Sequence, residues 1–445
     1  MKKNYLLGMA LMASLSFNSC DKEVVYVQDG TGVESVADGA QIITLQVENG
    51  GDGLATRAGR PLYSAEAKQT IENVKLWICD GAGNVKYVTT ISNWDKDGST
   101  PYTTGGHGRQ TTIELKGADK LAAGTYKIYA VGYSNSSAYT LTDVTNVAKE
   151  STFNENMVLP CSTAGEEIFA GQMELAVEKG KGFKKPVVLN RQVAGAFAYV
   201  KDIPFMEGAK YLKLVASAQN QSLVLGNFNS FDLTGNGSGN ANVKYVVNGT
   251  NGKSGSETYV ISTIDLNKWF TAIKDDNGDN LIDAGENWKN PCRPSSSPAA
   301  GTYPTFQKGS AFGGEFVIPF AHVDGKQTLT LQLTKEDGDS LRSWKVNLGS
   351  ADEQLKQTIT CWNSGSTNWS TSLSGESSNT YSLVRNHLYG IGTRMNDEAD
   401  PEQPGVDPDP DSENPNDKPE SLNNKQELVL KVNDNWEVIH GMELD

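Results

Sequence analysis

The chain is poor in the residues from which most enzyme sites are built. Only four histidines occur among 445 residues, His107, His322, His387 and His440. None stands in an HExxH or at metal-ligand spacing from a cysteine. GxSxG, a P-loop and a Gly-rich dinucleotide fingerprint after a strand are all missing, so three common catalytic or cofactor-binding designs lack their parts. The expectation is a protein that is not an enzyme. Basic residues are also in deficit, with 39 Lys+Arg against 54 Asp+Glu and a net charge of −15. That balance argues against a nucleic-acid partner, which needs a basic surface. Long helical periodicity is weak, apart from short stretches near residues 63–73 and 267–274.

The one apolar run near the start, Leu6 to Leu15, is too short to span a bilayer, which takes about 20 residues. It follows Lys2 and Lys3 and precedes small residues and Cys20. Residues 1–19 read as a signal peptide ending in a lipobox, with Cys20 as the lipidated first residue of an outer-membrane lipoprotein precursor. Cys79, Cys161, Cys292 and Cys361 remain. Export permits disulfides, and four cysteines allow three pairings. Cys79 lies in the apolar run Val74–Cys79, where a buried free thiol is an equal expectation.

Short alternating segments dominate what is present. Ile43, Leu45 and Val47 share one face of residues 42–48. Val74–Cys79 and Val85–Thr90 flank a turn at Asp80–Gly83. Further strand patterns fall at 111–115, 125–133, 166–174, 185–189 and 191–200. Others follow at 211–217, 222–228, 257–262, 314–320, 327–333, 341–347 and 381–393. With 45 glycines and no short-period repeat, the pattern predicts an all-β chain. It is read as two tandem Greek-key, transthyretin-like β-sandwich domains, residues 58–200 and 201–396.

Residues 397–420 hold ten Asp/Glu, six Pro and one Lys. Such a composition cannot bury enough apolar surface to fold, which predicts an extended acidic linker over 397–424. Beyond it, Leu428, Leu430, Val432, Trp436, Val438, Met442 and Leu444 occupy even positions. A strand with one apolar face is unstable alone in water, so residues 425–445 must pair with a sheet, either by folding back onto their own domain or by inserting into another molecule. Extended, the segment spans roughly 55 Å. Ile43-Thr44-Leu45-Gln46-Val47-Glu48-Asn49 resembles Leu428-Val429-Leu430-Lys431-Val432-Asn433-Asp434. A groove shaped for the first strand would accept the second from another molecule, by β-augmentation.

Several segments together resemble the fimbrillin family, the subunits of type V pili. They are the lipoprotein signal, Thr56-Arg57-Ala58, Leu189-Asn190-Arg191-Gln192-Val193-Ala194, Val384-Arg385-Asn386-His387-Leu388-Tyr389 and Asn435-Trp436-Glu437-Val438-Ile439. The resemblance implies a surface precursor cut by an Arg-specific protease after Arg57, leaving Ala58 as the new start. Residues 20–57 would leave with the lipid and the first strand. Arg60 is a second candidate, weakened by Pro61 after it. Having both a removable first strand and a C-terminal donor strand implies a stalk subunit, rather than a tip or anchor, in a polymer of pilin subunits supporting adhesion.

Two features lie outside that resemblance. In Asp275–Glu286 (DDNGDNLIDAGE), the EF-hand positions for oxygen ligands hold Asp275, Asn277, Asp279, Asp283 and Glu286, with the Leu281 carbonyl at the seventh. Asn280 replaces the usual Gly at the sixth. The spacing suits a structural Ca²⁺. Trp362 and Trp369, in a Ser/Thr/Asn-rich stretch, suit either sugar stacking by a glycan-binding lipoprotein or packing, and packing is the favoured expectation.

Overall fold

The computed structural model describes residues 39–48, 71–102, 108–161, 166–226, 245–282, 287–291, 306–323, 329–348, 359–373, 380–393, 418–423 and 427–432. Nine strands come first: β1 (Gln41–Glu48), β2 (Asn73–Asp80), β3 (Val85–Ser92), β4 (Thr100–Tyr102), β5 (Gly108–Leu115), β6 (Gly124–Tyr133), β7 (Val158–Pro160), β8 (Phe169–Val177) and β9 (Phe183–Arg191). Sixteen follow: β10 (Ala194–Lys201), β11 (Tyr211–Gln219), β12 (Ser222–Val224), β13 (Tyr245–Val247), β14 (Gly249–Thr250), β15 (Lys253–Asp265), β16 (Ala311–Val317), β17 (Phe320–Val323), β18 (Leu329–Thr334), β19 (Ser340–Leu348), β20 (Ile359–Asn363), β21 (Asn368–Leu373), β22 (Thr380–Leu383), β23 (Leu388–Ile391), β24 (Glu420–Ser421) and β25 (Glu427–Val432). The single-turn helices α1 (Thr142–Thr145) and α2 (Leu266–Trp269) complete the picture.

The first sheet runs β3-β2-β6-β8-β9-β1-β5-β4. β8 and β9 pair only at Phe169/Arg191 and Ala170/Asn190, so the sheet folds there into two facing halves. Alternation decides what lies between them. Ile43, Leu45 and Val47 of β1 meet Val74, Leu76 and Ile78 of β2 and Val187 and Leu189 of β9 in one buried cluster. The opposite residues of β2, Trp77 and Cys79, join a second cluster continuous with the rest of the chain. Phe153 covers that outer face, stacked on Tyr129 at 4.3 Å and tilted against Trp77 at 5.2 Å. Burial there, with Asp80 beside it, pushes the Cys79 thiol up to about 12.

The second sheet runs β15-β11-β18-β19-β25-β23-β10-β16, with β24 beside β10. Its ends approach each other: a Cβ on Gly313 of β16 would stand 2.8 Å from Ile264 of β15. Glycine there lets the sheet curl nearly closed around Phe197, Phe312, Leu331 and Trp344.

The structure departs from the sequence reading at four places. The change of sheet falls at Gln192–Val193, so β10, assigned to the first domain, belongs to the second. The strand expected over 381–393 is two strands, broken at Val384–His387, where Asn386 takes φ +59°. The helix expected over 267–274 is the one turn of α2, capped by the Asp265 carboxylate accepting from Asn267 N. The end of the acidic segment is packed. Lys418 bridges Thr393, β24 pairs with β10, and Leu422 is fully buried. Burial of Leu422 outweighs the polar composition around it. Most of the helix expected at 63–73 lies outside the described residues, and β2 has begun by Asn73.

Candidate functional site

Two strands occupy slots of the same polarity. β1 is antiparallel to β5 on one side and parallel to β9 on the other. β25 is antiparallel to β23 and parallel to β19. These are the two segments whose sequences match.

In the first slot, Ile43, Leu45 and Val47 have no solvent exposure. Register runs from Gln41 opposite Leu115 to Glu48 opposite Gly108 on β5, and from Gln41 beside Phe183 to Val47 beside Leu189 on β9. Phe183 N donates to Ala40 O at 2.8 Å. In a parallel ladder alternate residues point alternate ways, so odd-numbered N–H groups of β9 face β1. Pro186, which has no N–H, therefore faces away and removes nothing from the β1 ladder. On that far side no described strand pairs with Phe183–Val188.

The mouth of the slot has a polar contact. Gln41 is buried, and its amide Nε2 donates to Leu121 O at 2.9 Å while Leu121 N donates to its Oε1 at 2.7 Å. At the other end, Arg109, opposite Val47, gathers the loop after β3. It donates to Trp94 O, Lys96 O and both Ser99 oxygens. Alternation alone does not reveal Gln41, but its phase does: it is a polar residue in step with Ile43, Leu45 and Val47.

In the second slot, Leu428 is buried opposite Val346, and Glu427 turns outward to Lys345 at 3.6 Å and Asn347 at 3.2 Å. Of the two outcomes open to the tail, Glu427–Val432 takes the fold-back onto its own chain. This strand closes the chain's own second sheet, because β19 and β23 each present an edge that it completes. Leu430 and Val432 pair there through their backbones. Trp436, Val438, Met442 and Leu444 lie outside the described residues, as do Cys20, Arg57, Ala58 and Arg60.

The segments Leu189–Ala194 and Val384–Tyr389 meet each other between the slots. Asn386 N donates to Val193 O, and Gly195 N to His387 O. Arg385 Nη1 donates to Gln192 Oε1 at 2.9 Å and Gly226 O at 3.1 Å. Burial pulls the Arg385 guanidinium down to about 9. Arg191, the residue before Gln192, pairs with Glu167 at 2.8 Å through Nε, both side chains fully buried. β9, one wall of the first slot, ends on Arg191. β23, one wall of the second, begins three residues after Arg385.

The loop at 275–282 is built from Asx turns. Asp275 accepts from Gly278 N and Asn280 N, and Asp279 from Leu281 N. Asn280 takes φ +62°, the left-handed geometry that the sixth position of a calcium loop uses. Asp283 and Glu286 lie outside the described residues, and no group of three or more acidic, His or Cys side chains among the described residues is arranged to hold a metal. Trp362 and Trp369 face each other across β20 and β21 at 5.3 Å, edge to face. Trp369 Nε1 donates to Asn156 Oδ1 at 2.9 Å, which ties this hairpin to the loop before β7. Both rings are half-buried. Cys79 and Cys361 are free thiols. Cys292 lies outside the described residues. Among the described residues no helix is long and apolar enough to cross a membrane.

No family model and no curated protein matches the chain. Solved structures do. A fimbrial assembly protein from Parabacteroides distasonis is 12% identical at TM-score 0.36, over 80% of this chain and 92% of its own. The fimbrial anchor protein Mfa2 from Porphyromonas gingivalis is 12% identical at TM-score 0.32, over 74% of this chain and 94% of its own. A candidate cell adhesion protein from Parabacteroides distasonis is 10% identical at TM-score 0.37, over 89% of this chain and 96% of its own. Likeness at this level says nothing by itself of what the chain does.

Proposed function

We propose that the chain is a structural subunit of a cell-surface pilus, a stalk subunit that polymerises by strand exchange. The lipid on Cys20 holds the precursor at the outer membrane. Cleavage after Arg57 frees β1 from the rest of the chain, and the C-terminal strand of another copy takes its slot. The observation that carries this reading is the placing of β1. The first strand of the described chain sits between two others in the sheet interior, while the segment joining it to β2 contains Arg57. Burial of Ile43, Leu45 and Val47 contributes about 5–9 kcal/mol, so an empty slot would be strongly unfavourable and would seek a like strand. β25 is such a strand in sequence, and its present slot has the same pair of neighbour directions. Donation requires β25 to leave β19 and β23, and the tail beyond Val432 supplies further apolar residues for the new site.

Full-length chain treated with an Arg-specific protease is expected to give a ladder of SDS-resistant species. Arg57→Ala/Arg60→Ala chain should stay monomeric. Excess peptide of residues 424–445 should cap the slot and suppress the ladder. A chain that is cut after Arg57, loses residues 20–57, and remains a folded monomer would overturn the proposal.

A further inference from the structure

We infer that Gln426 sets the register of the exchanged strand by taking the place that Gln41 holds against Leu121. The inference rests on the strand-exchange reading and adds to it the residue that decides where the incoming strand stops. Side-chain alternation has period two, so it excludes a slip of one residue but not a slip of two. A contact outside that period must make the choice. Gln41 supplies one: its amide meets both the N–H and the C=O of Leu121, at 2.7 and 2.9 Å, and both residues are buried. An apolar side chain in that position would leave two buried backbone groups without a partner.

The tail carries the same amide at the same phase. Aligning Gln426 with Gln41 sets Leu428 on Ile43, Leu430 on Leu45 and Val432 on Val47. Gln426 itself lies outside the described residues; the site it would fill, Leu121 with the β5 and β9 walls, lies within them. A slip of two in one direction sets Leu428 against the Leu121 backbone and Asp434 in the position of Val47, which has no solvent exposure. A slip of two in the other direction sets Gln426 in the position of Ile43, equally closed to solvent. Both slips bury a polar group without its partner, so one register stands apart from its neighbours.

The test reads register directly. In that register Lys431 replaces Gln46, which lies opposite Gln110 on β5. Full-length Gln110→Cys chain, cut after Arg57, is mixed with full-length chain carrying Lys431→Cys, Val429→Cys or Asn433→Cys, with the parent cysteines as background. The Lys431→Cys partner should crosslink, with the other two at least about tenfold weaker. Adding Gln426→Ala should shift crosslinks toward the slipped positions. In parallel, the peptide of residues 424–436 should cap freshly cut chain about tenfold more tightly with Gln426 than with alanine there, a comparison that does not depend on folding of the variant chain. Crosslinks that form but do not respond to Gln426→Ala, with equal capping by both peptides, overturn the register assignment alone. No crosslink at any of the three positions overturns strand exchange, and the register with it.

Discussion

The two strand slots differ in what a lost strand would leave behind. β1 lies inside a folded-over half-sheet, and its three core residues face a cluster shared with β2, β6, β8 and β9. β25 joins β19 to β23 and completes a sheet whose other strands already pack around a large continuous core. Removing β1 would open the middle of a small sandwich. Removing β25 would part a seam in a larger one. β1 and β25 thus sit in slots of one polarity but of unequal consequence.

The largest expected effect falls on the junction between the slots. Glu167→Ala leaves Arg191 charged and buried at the end of β9, and should destabilise the uncut chain by about 3–5 kcal/mol in chemical denaturation. Gln192→Ala, which takes only a neutral amide from Arg385, should cost about 1–3 kcal/mol. Equal losses would erase the distinction between the two arginines. Next come the slots themselves. Leu45→Ala should cost about 2–5 kcal/mol, and Leu428→Ala should fall at the lower end of that range, since one neighbour face of β25 is a seam. Hydrogen exchange sharpens the contrast: Leu45→Ala should speed exchange across β5 and β9, and Leu428→Ala across β19 and β23. The reverse pattern would break the comparison. The smallest effect belongs to Glu427→Ala. Its partner Lys345 is 64% exposed and Glu427 60%, so stability should change by no more than about 0.5 kcal/mol.

Much of the fold could be read from period-two alternation, because β1, β9 and β18 each bury one phase of apolar residues, while β2 and β6 are buried on both faces. Strand breaks were less legible. Val384–His387 is flanked on both sides by strand-like residues, yet Arg385 and Asn386 are spent on the junction, and Asn386 adopts a left-handed turn. The home of Glu427–Val432 was hidden for a different reason. An apolar stripe says that a strand needs a partner, while the partner is chosen by unpaired edges of β19 and β23, more than thirty residues away in sequence. Gln41 was visible only as a polar residue at a core-facing phase, and its meaning depends on Leu121, which no local pattern connects to it.

Pro186 has a consequence for how a fibre would grow. The margin of β9 that looks away from β1 carries a residue unable to donate, at the level of Thr44 in the neighbouring strand. On that margin one ladder bond cannot form, whatever strand arrives. The bond missing at Pro186 makes β9 a poorer site than the β1 slot for a second strand to add.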